Sequence, residues 1–383
     1  MRRSFKFRLR PTAHQHVALD ACLRDHRTLY NAALEERREA WRRGISVRYG
    51  GQSAQLKEIR QECPEQGRWS FSSQQATLRR LNRAFDSFFR RVKSGQKPGY
   101  PRFRSRDRWD SVLWPSDGDG CRWRNGRAYL QGIGAVRVSV HRPVEGVVKT
   151  LAVKREGRRW YLVLSCDDVP EKPLPDTGKG VGIDMGITAF LATSDGELIA
   201  NPRHGRAAAR RLAAAQQVLA RKKRGSLNRR AARAVVANRH RKVSNQRRDL
   251  HHQVARRLVD AYDVIALEDL AVKNMTRSAS GTLELPGTNV AAKSGLNRSI
   301  LDAGWAQFAA ILAAKAEEAG RVMVTVNPQY TSQRCQSCGH IDARNRNGMA
   351  FVCLACGHTG HADVNAARNV LRAGLARPAA QVA

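Results

Sequence analysis

The chain has 383 residues, 42% of them hydrophobic, and carries 68 Lys and Arg against 33 Asp and Glu for a formal charge of +35. That length and apolar content suit two or three folded domains and exclude wholesale disorder. So large a charge opposes compaction unless a polyanion offsets it, and no stretch approaches the roughly 18 apolar residues of a membrane span, so nucleic acid is the expected partner and membrane is not.

The opening MRRSFKFRLRPT is basic but lacks the apolar core of a signal peptide, so it reads as structure, with a short strand at Phe5 to Leu9. A helix follows from Pro11-Thr12, its apolar positions Leu19, Leu23, Tyr30, Leu34 and Trp41 recurring at helical spacing. A second begins at SSQQ, where Ser72 and Gln75 have capping-box spacing, and carries the stripe Leu78, Leu81, Phe85, Phe88 and Val92. The connector GQKPGYPRFRSR interleaves Tyr100, Arg102, Phe103 and Arg104; stacking on bases and rigid anchoring of a linker are equally good readings of it.

From about 110 to 168 the apolar period becomes two, with turns at Asn125-Gly126 and Glu156-Gly157, so hairpins of a small barrel are expected and the strand at 5–9 could join them. The helices would then be an insertion in that barrel. A Pro/Gly-rich run, Asp168 to Gly180, reads as a linker. After the apolar strand VGIDMGI and two more strands comes Arg203 to Arg257, where Asp249 is the only acid among eighteen Lys and Arg. Two helices divided at RGSLN, with a thin stripe of Val236, Val243, Leu250, Val254 and Leu258, look like a cradle for a phosphate backbone. Its cations include Arg221, Lys222, Lys223, Arg224, Arg229, Arg230, Arg233, Arg241, Lys242, Arg247 and Arg248. YDVIALEDL is the next strand, 276–299 reads as a polar loop, and a helix from Trp305 and the strand RVMVTV precede the cysteines.

Asp184 lies within an apolar strand, where a charge is costly unless paired or bound to metal. Glu268 ends another strand, and Asp363 opens the helix DVNAARNVL, where an N-cap is the bland alternative. The order of elements around them is that of an RNase H-like nuclease fold, in which such acids meet. Three clustered carboxylates need cations, and two magnesium ions about 4 Å apart would suit them and phosphodiester hydrolysis. Cys335, Cys338, Cys353 and Cys356 form CxxC-x14-CxxC with a glycine after each pair, the pattern of a closed, structural four-thiolate zinc site; His340, His358 and His361 are then superfluous as ligands.

GIDMGI, ALEDLAVKNM, NPQYTSQRCQSCGH, CLACGHTGHADVNAARN, YNAALEERREAW and KPGYPRFRSR together resemble the TnpB family, the OrfB-type proteins of insertion sequences, from about residue 4 to 373. The resemblance implies a prokaryotic, cytoplasmic, nucleoid-associated RNA-guided DNA endonuclease related to type V CRISPR effectors. Its partners would be a guide RNA from the transposon end, one chain per guide, and target double-stranded DNA beside a short duplex motif. The family's RuvC-like triad falls on Asp184, Glu268 and Asp363, its zinc ligands on the four cysteines, and Arg346 matches an arginine common in its knuckle insertion, with a phosphate-binding role expected.

The expected fold is α+β and multidomain. A small β-barrel (wedge-like) domain spans 1–10 and 106–170, with a helical recognition segment inserted at 11–105. A linker at 171–179 leads to an RNase H-like (RuvC) nuclease domain at 180–330 and 360–375, with a zinc ribbon inserted at 331–359 and a flexible tail at 376–383. The alternatives are a guide-directed DNA binder with little cleavage, an accessory transposase, or an RNA chaperone. Three intact acids speak against the first and last, and the absence of an added nucleophile against the second.

Overall fold

In the first unit of the computed structural model, Met1–Pro170, alternation of buried and exposed residues builds one antiparallel sheet. The structure describes residues 1–282 and 284–376, so all but the first residue of the expected tail at 376–383 lies outside the described residues. The chain runs β1 (Arg3–Arg10), α1 (Ala13–Arg42), α2 (Tyr49–Glu62), α3 (Pro64–Gly67), α4 (Phe71–Lys93), β2 (Ser111–Trp114), β3 (Cys121–Arg124), β4 (Arg127–Leu130), β5 (Gly134–Ser139), β6 (Val147–Glu156) and β7 (Arg159–Asp167). Strand order is β2-β6-β7-β1-β5-β4-β3, with β1 paired to both β5 and β7. The barrel expected from sequence is therefore corrected to an open half-barrel, because β2 and β3 end the sheet without pairing to each other. The core explains why it need not close: Leu19, Leu23, Tyr30 and Leu34 of α1 and Leu78, Leu81 and Phe85 of α4 are buried in one cluster with Phe5, Phe7, Trp114 and Leu162 of the strands.

Two details of the helices differ from expectation. The capping box belongs to α1, where Thr12 Oγ1 accepts from Gln15 N at 3.2 Å and Gln15 Oε1 from Thr12 N at 3.1 Å. At α4 the cap is Ser70, whose hydroxyl accepts from Ser73 N, which leaves Ser72 and Gln75 inside the helix. The apolar stripes also stop short: Trp41 and Val92 are exposed and Phe88 only half-buried, since both helices outrun the sheet they pack on.

The second unit, Glu171 onward, is built on β8 (Gly180–Met185), β9 (Ala189–Thr193), β10 (Leu198–Ala200), α5 (His204–Ala220), α6 (Leu227–Ala261), β11 (Val264–Glu268), α7 (Val272–Met275), α8 (Val290–Ala303), α9 (Trp305–Glu318) and β12 (Val322–Val326). The sheet order is β10-β9-β8-β11-β12, with β8, β11 and β12 mutually parallel and β9 antiparallel to β8. The Pro-rich run is stitched to this unit: Lys172 N and Leu174 N donate to Glu318 O and Ala319 O, and Asp263 accepts from Thr177 N and Gly178 N. The polar loop expected at 276–299 ends ten residues early, because α8 starts at Val290 after Asn289 in the left-handed conformation.

Period two sorts the two faces of β8. Val181 and Ile183 join Leu267, Val254, Leu258, Phe308 and Leu312 in the core under α6 and α9. Gly182 faces the other way, toward α10 (Ala362–Leu375): a Cβ there would lie 2.0 Å from Ala367 O and 2.6 Å from Leu371 N. Gly374 of α10 approaches Ala266 of β11 as closely, a Cβ there falling 2.6 Å from the Ala266 Cβ. Backbone cannot yield as a side chain does, so Gly182→Ala should cost about 3 kcal/mol or more of stability, read as a lowered urea midpoint in chemical unfolding. An unchanged midpoint would show that α10 does not seat on β8 as described.

Between β12 and α10 lies a small sheet of β13 (Arg346–Asn347), β14 (Ala350–Val352) and β15 (Thr359–His361), which joins the cysteine-bearing turns. No helix among the described residues is long and apolar enough to cross a membrane.

Candidate carboxylate and cysteine centres

Asp184 and Glu268 occupy equivalent places on neighbouring parallel strands. Ile183 pairs with Leu267, so each acid comes one residue later at the carboxyl end of its strand. By alternation Asp184 shares the face of Gly182, and Glu268 that of Ala266, which is the face covered by α10. Asp363 is the second residue of α10 and 8% exposed, so two strand ends and a helix start carry the three acids, and Asp184 feels the charges of both others. Asp363 is not the cap: His361 takes that place, its Nδ1 accepting from Asp363 N at 3.2 Å. Arg346 of β13 instead holds Asp363, Nη2 to Oδ1 at 2.6 Å, and the Thr331 hydroxyl donates to Glu268 Oε1.

Like charges under burial make this site costly. Burial first, then the carboxylates of Glu268 and Asp363, push Asp184 up to about 7, against the opposing pull of Arg346. Burial also raises Glu268, opposed by Thr331 and Arg346. Because the fold holds the Asp184 proton more tightly than an unfolded chain, whose aspartate titrates near about 3.9, the penalty is absent below that pH and grows as pH rises through 7. The metal-free protein should thus melt at a higher temperature at pH 5 than at pH 7.5, and Asp184→Asn should remove most of that difference. An equal pH slope in the variant would show that Asp184 does not titrate in this window.

The four cysteines form a second centre, with ligand sulfurs all within 4.8 Å of one another. Cys335 Sγ and Cys356 Sγ are 3.8 Å apart, and Cys338 Sγ and Cys353 Sγ 3.5 Å. A tetrahedron with metal–sulfur bonds of about 2.3 Å has edges of about 3.8 Å, so the donor set fits a tetrahedral metal such as zinc. The two knuckles repeat one hydrogen-bond pattern: Gly339 N donates to Cys335 O as Gly357 N does to Cys353 O, and Cys335 N to His340 O as Cys353 N to His358 O. Gly339 and Gly357 have φ of 79° and 72°, which explains the glycine after each pair. Backbone N–H donors from the second knuckle favour the thiolate of Cys353, the form a metal needs. The histidines stand aside as ligands: His358 receives Gln336 and His361 caps α10.

Asn365 and Asn369, given no role by sequence, join the ribbon to α10. Asn365 accepts from Gln336 N and donates to Arg334 O, while Asn369 donates to Thr331 O and Arg334 O. They are only 2% and 4% exposed, and their spacing of four, which puts two amides on one helix face, was the available signal.

The expected nucleic-acid contacts divide by what they touch. Arg221, Lys222, Lys223, Arg224, Arg230, Arg233, Lys242 and Arg248 are exposed on the α5–α6 hairpin. Arg229 donates to Leu219 O and Lys222 O, closing the end of α5, Arg241 meets Asn238, and Arg247 pairs with Asp302 at 3.0 Å. In the first unit Arg102 is exposed, Tyr100 packs edge-on against Phe85 and Phe88, and Arg104 lies over Tyr30. Tyr100 and Arg104 thus have partners within the protein, while Tyr100 and Phe103 each keep an exposed face.

Comparison with known proteins then bears on the family. Residues 150–279 match the OrfB_IS605 model, described as a probable transposase, residues 305–370 a Cas12f1-like TNB domain, and residues 1–46 a helix-turn-helix domain of the OrfB_IS605 type. "Putative RNA-guided DNA endonuclease InsQ" of Escherichia coli K12 is 35% identical over 377 residues, 97% of this chain and 92% of its own length. This chain belongs to the OrfB, or TnpB, family. A Streptomyces pristinaespiralis protein, also described as an RNA-guided DNA endonuclease, is 33% identical over 99% of the chain and 91% of its own length. The Cas12f1 endodeoxyribonuclease of Sulfoacidibacillus thermotolerans is 33% identical over 55% of the chain and half its own length. The stretch matched by the family's helix-turn-helix model is here one strand and one continuous helix, β1 and α1.

Proposed function

We propose that this family member is a transposon-associated, RNA-guided DNA endonuclease, with Asp184, Glu268 and Asp363 as its catalytic carboxylates. The placing of one acid at each of the ends of β8 and β11 and the start of α10, with Asp184 feeling the charge of the other two, supports that reading. Burial and mutual repulsion raise Asp184, a penalty that bound cations would relieve. Magnesium there would supply an activated water and a stabilised leaving 3′ oxygen. The chain's own groups set the carboxylates: Thr331 holds one oxygen of Glu268, and Arg346 holds one oxygen of Asp363, the residues that would also hold the cations. Zinc on the four thiolates would be structural, since a closed tetrahedron offers no open position.

The half-barrel at 1–10 and 106–170 would serve as the wedge and the helices at 11–105 as the recognition part. The sheet with α10 would serve as the RuvC-like nuclease and 331–359 as the zinc ribbon. A guide RNA from the transposon end and a target duplex would be the polyanions that offset the +35 charge. Purified in low salt, the chain should retain RNA of discrete sequence whose ends are read by sequencing. Its affinity for that RNA should fall steeply with salt, with a log–log slope of about −5 or steeper if seven or more phosphates are neutralised. Recovery of RNA-free protein, or a shallow slope, would count against the reading.

A further inference from the structure

Between α5 and α6 lies a cleft of about 160 Å³ that the sequence builds in. His204, Ala207, Ala208 and Arg211 of α5 follow i, i+3, i+4, i+7, and so do Arg239, Lys242, Val243 and Gln246 of α6. Each helix thus turns one face to the other, but where paired helices ordinarily interlock large apolar side chains, alanines face a valine and leave a gap. The mouth carries Arg211, Arg239 and Lys242, all exposed, and no acid lines it. These cations differ from others on the same hairpin, such as Arg229, Arg247, Arg256 and Arg257, which bond to protein oxygens.

The volume is the share of about five waters at roughly 30 Å³ each, too small for a drug-sized ligand and suited to one planar ring. A duplex backbone has no use for a gap with an apolar floor; it needs only the outward cations. A flat apolar face rimmed by cations, with Gln246 and His204 to meet polar edges, fits a nucleobase turned out of its stack with its own phosphates at the mouth.

We infer that the α5–α6 cleft receives one unstacked nucleotide of the bound RNA, so that the hairpin clamps the RNA at a fixed point besides attracting its backbone. This rests on the proposed RNA-binding function. The capping of α5 supports a built site: Asp302 of α8 accepts from Gly205 N and Arg206 N and pairs with Arg247, fixing the end of α5 beside the cleft.

The test is to fill the gap without touching charge. Ala208→Leu/Val243→Leu keeps good helix formers on both helices, and a thermal melt verifies its fold. With the RNA that copurifies with the parent, the filled variant should bind about tenfold more weakly, the effect of no longer burying one ring on the apolar floor. Chemical probing should show one nucleotide losing its protection while the rest of the footprint stays. The exposed triple variant Arg211→Gln/Arg239→Gln/Lys242→Gln should lower the salt slope by about two. A filled variant with parental affinity and footprint overturns the cleft, leaving those cations as a solvated face, and so does protection of a target DNA nucleotide in place of an RNA one. A parental chain that retains no RNA overturns the functional reading and the cleft together, whereas retained RNA with an unchanged footprint overturns the cleft alone.

Discussion

Asp184→Asn should abolish magnesium-dependent DNA cleavage while leaving RNA and DNA binding at parental levels, and should raise the melting temperature of the metal-free protein near pH 7.5. The two effects have one cause. Asp184 is a half-buried charge facing two like charges, opposed by Arg346, so the neutral, equally sized amide relieves a cost that the native chain bears. The same amide is a poor cation ligand, and loss of one of the three proposed catalytic carboxylates should lower the rate on the order of 10³-fold or more. Stability gained with activity lost is the signature of a functional site, whereas a merely structural aspartate would lose both. A variant that cuts at the parental rate, or melts lower than the parent, would remove Asp184 from the proposed role.

If the four thiolates hold zinc as proposed, Cys353→Ser should lower the zinc content found by metal analysis and slow cleavage about 10- to 100-fold, with the main sheet of the second unit still folded. Cys353 is no candidate for chemistry at DNA; its effect would travel through the ribbon. The second knuckle closes on Cys353 O, β14 continues directly before it, and β13 pairs with β14 and carries Arg346 to Asp363. Asn365 and Asn369 tie the base of the first knuckle to the same helix. Loosening the ribbon should therefore free Asp363 from its guanidinium without removing a carboxylate. RNA retention should persist, because the α5–α6 hairpin lies on other elements. Parental cleavage by a zinc-free variant would show that the ribbon does not position the acid.

What was legible in the sequence follows from what is costly. A carboxylate inside GIDM is expensive anywhere in a core, so Asp184 stands out from the sequence alone. The cysteine spacing speaks for itself because four thiolates and two knuckle glycines have few other uses. Cheaper features mislead. SSQQ has capping-box spacing, yet Ser70 takes the cap since its hydroxyl reaches Ser73 N first along the chain. Phe88 and Val92 continue a helical stripe past the end of the sheet that buries Leu78 and Leu81. The start of α8 hides in a Gly- and Ser-rich stretch because a left-handed Asn289 begins it without a side-chain cap. Whether a sheet closes depends on what fills its concave face, and α1 and α4 fill it here, a fact of tertiary packing that no strand pattern carries. Arg229 and Arg247 looked like surface cations for the same reason: a charge count does not tell which guanidinium finds a carbonyl or Asp302.

The most direct test of the account is cleavage by the chain together with its copurified RNA, using duplex DNAs that differ only in whether one segment complements that RNA and that carry a randomised flank. Cutting confined to the complementary duplex, dependent on magnesium and absent with Asp184→Asn, is the expected result. Cutting that ignores complementarity, or that persists without the Asp184 carboxylate, would contradict it.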